Sequence, residues 1–196
     1  MDVVCFDGEL LFAGPDTAAS LVPSSSDAVT WGLRLAPGVA HALLGMPVDE
    51  LADRRVELHE LVRLDAATLD AASHDPAAAL GQAVVELWTR ASPDAAALRL
   101  ARSLDQAARA GLSVRDIAKL HGLSERTLRR VSDRVFGYGP KTLAAIHRLQ
   151  RALRYSRAGS SHGEVAALAR YADQSHLARE TRRLTGTTFG TLTANR

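Results

Sequence analysis

The feature that most constrains this chain is an internal repeat. Residues 114–136 read VRDIAKLHGLSERTLRRVSDRVF, and residues 164–184 read EVAALARYADQSHLARETRRL. Ile117-Ala118 recur 48 residues later as Val165-Ala166, and Leu123 recurs as Tyr171. In the first unit, Ala118 is small where a second helix must cross closely. Gly122 supplies a left-handed turn, and Leu123 packs back toward the core. Ser124 is a strong N-cap for the next helix. On that helix Leu128, Val131 and Val135 face inward, while Arg126, Arg129, Arg130 and Arg134 crowd the outside. In the second unit Asp173 is the N-cap, one residue later than strict repetition would place it. Leu177 then takes the place of Leu128, and Arg179 that of Arg130. Each unit predicts two short helices joined by a tight turn, the second helix basic. Two such units in one chain are far harder to obtain by chance than one.

The segment between them, GYGPKTLAAIHRLQRALRYSR, predicts one long helix. Pro140 opens it, and Leu143, Ile146, Leu149 and Leu153 recur at helical spacing on one face. Lys141, Arg148, Arg151, Arg154 and Arg157 line the rest. A rigid connector fixes the separation of the two units, and two major-groove readers on one face of DNA need about 34 Å between them. Charge points the same way. Residues 1–92 carry 5 Lys and Arg against 14 Asp and Glu, a balance of −9, whereas residues 93–196 carry 19 against 8, a balance of +11. A basic half beside an acidic half fits a nucleic-acid-binding domain joined to something else.

The first half reads differently. VVCF and ELLF flank Asp7-Gly8, a pair suited to a type I′ hairpin. Gly14-Pro15-Asp16 marks a turn, and Ala28 to Ala36 is a third strand candidate. Val39 to Gly45 predicts a short helix closed by glycine, and DELADRR after Pro47 predicts another. Helix predominates from about residue 66. Pro76 opens a helix over Ala77 to Ala91, and Ser92-Pro93-Asp94 starts the next, running to about Arg109. The expected organisation is a partial β-rich sensory or regulatory segment at 1–65, a helical connector at 66–92, and a domain with both repeats at 93–196.

The strings IAKLHGLSERTLRR, FGYGPKTL, HRLQRAL and VAALARYADQSHLARETRRLTG together resemble the DNA-binding domain of the AraC family of transcriptional regulators. They span roughly half the chain. The resemblance implies a mainly α fold, with a seven-helix double helix-turn-helix domain whose recognition helices start at Ser124 and Asp173. It implies sequence-specific binding to double-stranded DNA, with two recognition helices in successive major grooves. Carried over position by position, the base-contacting candidates are Arg126, Arg129 and Arg130, then Gln174, Ser175 and Arg179. Arginine pairs bidentately with guanine, and glutamine with adenine. Lys141, Arg148, Thr127 and His176 are the phosphate-contacting candidates, which position without specifying. Three departures stand out. Arg170 replaces the glycine usual in the second turn, Ser132 and Thr181 stand where aromatic core residues are frequent, and Thr188-Phe189 follow Gly186 in place of Thr-Pro. They predict a second unit that is less stable and contributes less base reading. The N-terminal segment resembles the sensory half of one subgroup, a small cupin-like barrel, here incomplete. Phe12, Trp31 and Arg34 would line its pocket, with core or rim positions as the simpler role.

Other classes find little support. No apolar run has transmembrane length, and MDVVCFDGEL lacks the pattern of a secretory leader, so a cytoplasmic, non-membrane protein is expected. The single cysteine, Cys5, sits between apolar neighbours and reads as a small buried hydrophobe. The seven histidines show no metal-ligand spacing, and no phosphate-binding loop or nucleophile elbow occurs. No catalytic residue, metal or cofactor is therefore expected, and the chain is read as not an enzyme. Expected partners are double-stranded DNA and RNA polymerase, with the sense of regulation, activator or repressor, and a small-molecule effector left open. The rival readings are a ligand- or metal-binding cupin-like enzyme, and a protein-interaction module fused to a basic helical domain.

Overall fold

The computed structural model describes residues 1–16 and 29–194. Ala28, the start of the predicted third strand, and the last two residues of the predicted 93–196 domain lie outside them. The chain opens with β1 (Asp2–Phe6) and β2 (Glu9–Ala13), paired antiparallel with Val4 opposite Leu11. Asp7 and Gly8 between them both have positive φ, 49° and 78°, as a type I′ turn requires. β3 (Trp31–Arg34) pairs with the free side of β1. Helix α1 (Val39–Leu44) follows, closed by Gly45 in the left-handed conformation.

The helix expected over DELADRR does not form. Val48–Leu51 make a single 3-10 turn, and Arg55–Glu57 form a strand, β4, on the free side of β2. Asp53 turns the chain at φ 57°. That places Val56 opposite the core residue Phe12, and burial of Val56 outweighs the local helical preference. The result is an open antiparallel sheet of order β3-β1-β2-β4.

Helices α2 (Leu58–Leu61), α3 (Ala66–His74) and α4 (Pro76–Ala91) complete the N-terminal unit. Asp75 caps α4 by accepting from the Ala78 amide, with Pro76 in the first turn. Ala72, Leu80, Ala83 and Leu87 from α3 and α4 share one core with Val3, Cys5, Leu10 and Phe12 from the sheet. Cys5 is 2% exposed, its thiol donates to the Ala72 carbonyl at 3.4 Å, and burial pushes its pKa up. Phe12 is a core residue. Trp31 is half exposed, and Arg34 pairs with Asp2 at the sheet edge. Among the described residues, Phe12 thus takes the core role and Arg34 the rim role.

Ser92, at φ 42°, ends α4. Seven helices follow: α5 (Ala95–Arg109), α6 (Val114–Leu120), α7 (Glu125–Phe136), α8 (Pro140–Arg157), α9 (His162–Leu168), α10 (Gln174–Thr185) and α11 (Phe189–Ala194). They enclose two cores. Ile117, Leu128, Phe136 and Leu143 belong to one, and Leu149, Ala152, Val165, Leu177 and Phe189 to the other. Helix α8 serves both, so the two halves share a rod of 18 residues, about 27 Å at 1.5 Å per residue. An almost buried contact between His147 Nε2 and Asp105 Oδ1, 2.7 Å, ties that rod to α5.

The N-terminal unit rests directly on α7. The 3-10 turn and α1 both pack against that helix. Two glycines form the seam. A Cβ on Gly38, at φ 84°, would stand 2.4 Å from Ala101 Cβ and 3.3 Å from Val135 Cγ1. A Cβ on Gly137, at φ 77°, would stand 2.1 Å from Pro15 Cγ.

Candidate nucleic-acid interface

The local sequence builds each helix-turn-helix in the same way. Ser113 caps α6, its hydroxyl accepting from the Asp116 amide at 3.1 Å. Gly122, at φ 63°, makes the turn. Ser124 caps α7, accepting from the Thr127 amide at 3.0 Å, and the Ser124 and Thr127 hydroxyls lie 2.8 Å apart. Leu128, Ser132 and Phe136 form the buried stripe of α7. Arg126, Arg129, Arg130 and Arg134 are exposed. Arg129 lies 3.8 Å from Asp133, yet 78% of its side-chain surface is open to solvent. A groove of about 580 Å³ beside α7 brings Arg126 and Arg129 together with Lys141 from the start of α8.

In the second unit Ser161 and Glu164 form a reciprocal capping box at α9. The Ser161 hydrogen bonds hold the Glu164 carboxyl below its ordinary pKa. Arg170 has φ 64°, against 63° for Gly122, its counterpart 48 residues earlier. The departure from glycine thus leaves the turn intact, at a backbone cost of about 1–2 kcal/mol for a left-handed L-residue. Tyr171 is buried where Leu123 packs in the first unit. Asp173 caps α10, its carboxylate accepting from the His176 amide at 2.6 Å. Gln174, Ser175 and Arg179 are exposed along α10.

Two of the expected phosphate contacts are engaged within the protein. Arg148 donates from Nε and Nη2 to the two carboxylate oxygens of Glu180, at 2.9 and 2.6 Å. Its guanidinium lies 5.0 Å from the Tyr171 ring centre. Glu180 is 9% exposed. Burial, then the charge of Glu180, pushes the Tyr171 hydroxyl well above its ordinary pKa. His176 Nδ1 accepts from the Ala172 amide at 3.3 Å, and its ring meets Tyr171 edge-on. A lone carboxylate in a helix holding Arg179, Arg182 and Arg183 is a sequence signal for such a clamp, but it carries no address for its partner.

The two residues that replace aromatic core positions differ. Thr181 is fully buried, with its hydroxyl donating to the Leu177 carbonyl at 2.7 Å. Ser132 is 1% exposed, and its hydroxyl has no hydrogen-bond partner. A buried orphan hydroxyl costs about 1–3 kcal/mol. Ser132→Ala is therefore expected to raise stability by about 1 kcal/mol, read as a shift of the urea midpoint at unchanged slope. A lower midpoint would show that the hydroxyl is satisfied.

Among the described residues, no group of three or more His, Cys, Asp and Glu is arranged to hold a metal ion. No described helix is long and apolar enough to cross a membrane.

Residues 117–195 match a protein family described as "Helix-turn-helix domain". No curated protein matches the chain. Among solved structures, the crystal structure of a probable AraC family transcriptional regulator from Rhodopseudomonas palustris CGA009 is similar at 21% identity and a TM-score of 0.43. That similarity covers 49% of this chain and 95% of the other.

Proposed function

We propose that the chain, which carries a helix-turn-helix domain over residues 117–195, is a DNA-binding transcription regulator of the AraC type whose α7 and α10 read successive major grooves of one duplex. One observation carries this reading: the same capped, arginine-bearing helix is built twice on a single rigid rod. Arg126, Arg129 and Arg130 contact bases from α7, and Gln174, Ser175 and Arg179 from α10. Lys141 and Thr127 contact phosphates. Arg148 and His176, held by Glu180 and Ala172, position α10. Residues 93–196 form the DNA-binding domain, and residues 1–92, sheet and helices together, form a regulatory unit seated on α7. The regulator works in the cytoplasm on RNA polymerase at its target promoters, and is not an enzyme.

Binding-site selection with the full chain and three variants tests this. Arg130→Ala is expected to relax base preference, at a loss of about 1–3 kcal/mol for the preferred site, the worth of a bidentate arginine–guanine contact. Lys141→Ala is expected to weaken all sequences alike and to reduce the salt slope by about one unit. Arg179→Ala is expected to change base preference less than Arg130→Ala. If no duplex is retained at low salt, the DNA-binding reading fails. If no variant alters base preference, the arginines serve only phosphates or solvent.

A further inference from the structure

A second basic cleft lies between the two helix-turn-helix units. Its volume is about 590 Å³, and its cationic lining is Lys141, Arg148, Arg151, Arg170 and Arg183. Glu180 also lines it, but both its carboxylate oxygens are taken by Arg148. Among the described residues, no ion pair joins Lys141, Arg151, Arg170 or Arg183 to a carboxylate. Two of these cations are brought to one spot. The guanidinium nitrogens of Arg151 and Arg170 come within 3.7 and 3.8 Å of the point where a Cβ on Gly111 would stand. Arg151 Nη1 donates to the Arg109 carbonyl at 3.3 Å, while its Nε is buried without a partner. Like charges gathered without a counter-charge repel one another, and an anion between them relieves that repulsion.

Position identifies the anion. The cleft shares Val114, Lys141 and Thr142 with the groove beside α7, which also holds Arg126 and Arg129. At its other end it shares Arg183 with the hollow beside α10 that holds Arg179 and Arg182. Cationic side chains therefore follow one another from one recognition helix to the other, with Glu125 and Asp133 as the carboxylates of the α7 groove. Between two major-groove contacts one helical turn apart, a duplex presents its minor groove and the phosphates that flank it. Arg170 adds a local observation. Its backbone holds a left-handed conformation that glycine adopts without strain, and the side chain kept there reaches this cleft.

We propose that this central cleft, through Arg170, Arg151 and Arg183, binds the backbone phosphates of the DNA segment lying between the two recognition helices. The site rests on the DNA-binding reading and extends it. It is sequence-independent, and it holds the duplex against the protein where no base is read.

The test uses the full chain and its selected duplex. Affinity is measured by fluorescence anisotropy over a range of salt, for the native protein, Arg170→Gly and Arg183→Gln. The duplex is made in two forms, one natural and one with neutral methylphosphonate linkages in the intervening segment only. Arg170→Gly is expected to keep or raise thermal stability, because strain is removed. It should lower the salt slope by about 0.9 and the affinity about fivefold at 0.15 M salt, the effect of one lost phosphate contact. Neutral linkages should weaken the native protein by at least that factor and weaken each variant less. Equal weakening of native and variant proteins, or none, overturns the proposal while leaving duplex binding and its base preference in place. Loss of all duplex binding by the native protein would instead sink the reading beneath it. The neutral linkages act on the unaltered protein, so they decide the matter even if a variant folds poorly. Pyrophosphate raising the melting temperature without DNA, with no response to neutral linkages, would make this a site for a free phosphate compound and would also overturn the proposal.

Discussion

Gly137→Ala is expected to destabilise the folded chain by about 2–4 kcal/mol, the sum of left-handed strain and overpacking. Gly137 closes α7 at φ 77°, and a Cβ there would stand 2.1 Å from Pro15 Cγ and 2.8 Å from Pro15 Cβ. A ring of the opposite unit cannot yield that distance without moving the backbone that carries it. The second helix-turn-helix supplies an internal control. Gly186 closes α10 at φ 69°, with nothing within 4 Å of the same point. Gly186→Ala should therefore cost only the backbone strain, about 1–2 kcal/mol. The excess at Gly137 measures the seam between the N-terminal unit and α7. Urea unfolding of both variants gives the difference, and hydrogen exchange shows where it falls. Faster exchange in the 3-10 turn and α1 is the expected signature. Equal losses in the two variants would show that the seam is not tightly packed.

Arg148→Ala is expected to cost about 2–3 kcal/mol, at or below the lower end for breaking a buried ion pair because the arginine is partly exposed. The side chains are 30% and 10% exposed, so the variant leaves the Glu180 carboxylate largely out of water with no partner. The loss should be local, with α9 and α10 exchanging faster while α6 and α7 are unchanged. Replacing both partners, Arg148→Met with Glu180→Leu, should recover most of it, because the apolar pair leaves no uncompensated charge. A phosphate-binding arginine would behave otherwise. Its loss would flatten the salt slope and spare stability, and that result would return Arg148 to the DNA interface.

Much of the C-terminal half was legible because its signals are local. Capping by Ser124 and Asp173 depends on residues two or three positions away, so sequence spacing places it. The inward faces of Leu128, Leu143 and Leu177 follow from helical periodicity alone. The hairpin at Asp7-Gly8 is local in the same sense. The strand around Arg55 is not legible in the sequence because it exists only through pairing with β2, some 40 residues earlier, and propensity carries no information about a distant partner. The engagement of Arg148 by Glu180 is not legible in the sequence for a related reason. An arginine on a helix facing DNA and one facing a buried carboxylate look alike in sequence, and only the fold sets Glu180 opposite it.

By itself the sequence determined the repeated unit, the rod that joins the copies, and the basic character of the half that contains them. These depend on period, cap and charge, which are properties of neighbouring residues. Only the tertiary structure decided which cations are free and which are held. It also decided that the N-terminal unit sits against α7 through Pro15 and Gly137, and that Arg151 and Arg170 converge beside Gly111. Each of these is a contact between segments far apart in the chain. Its existence depends on how separately folded elements pack, and close packing has no local signature.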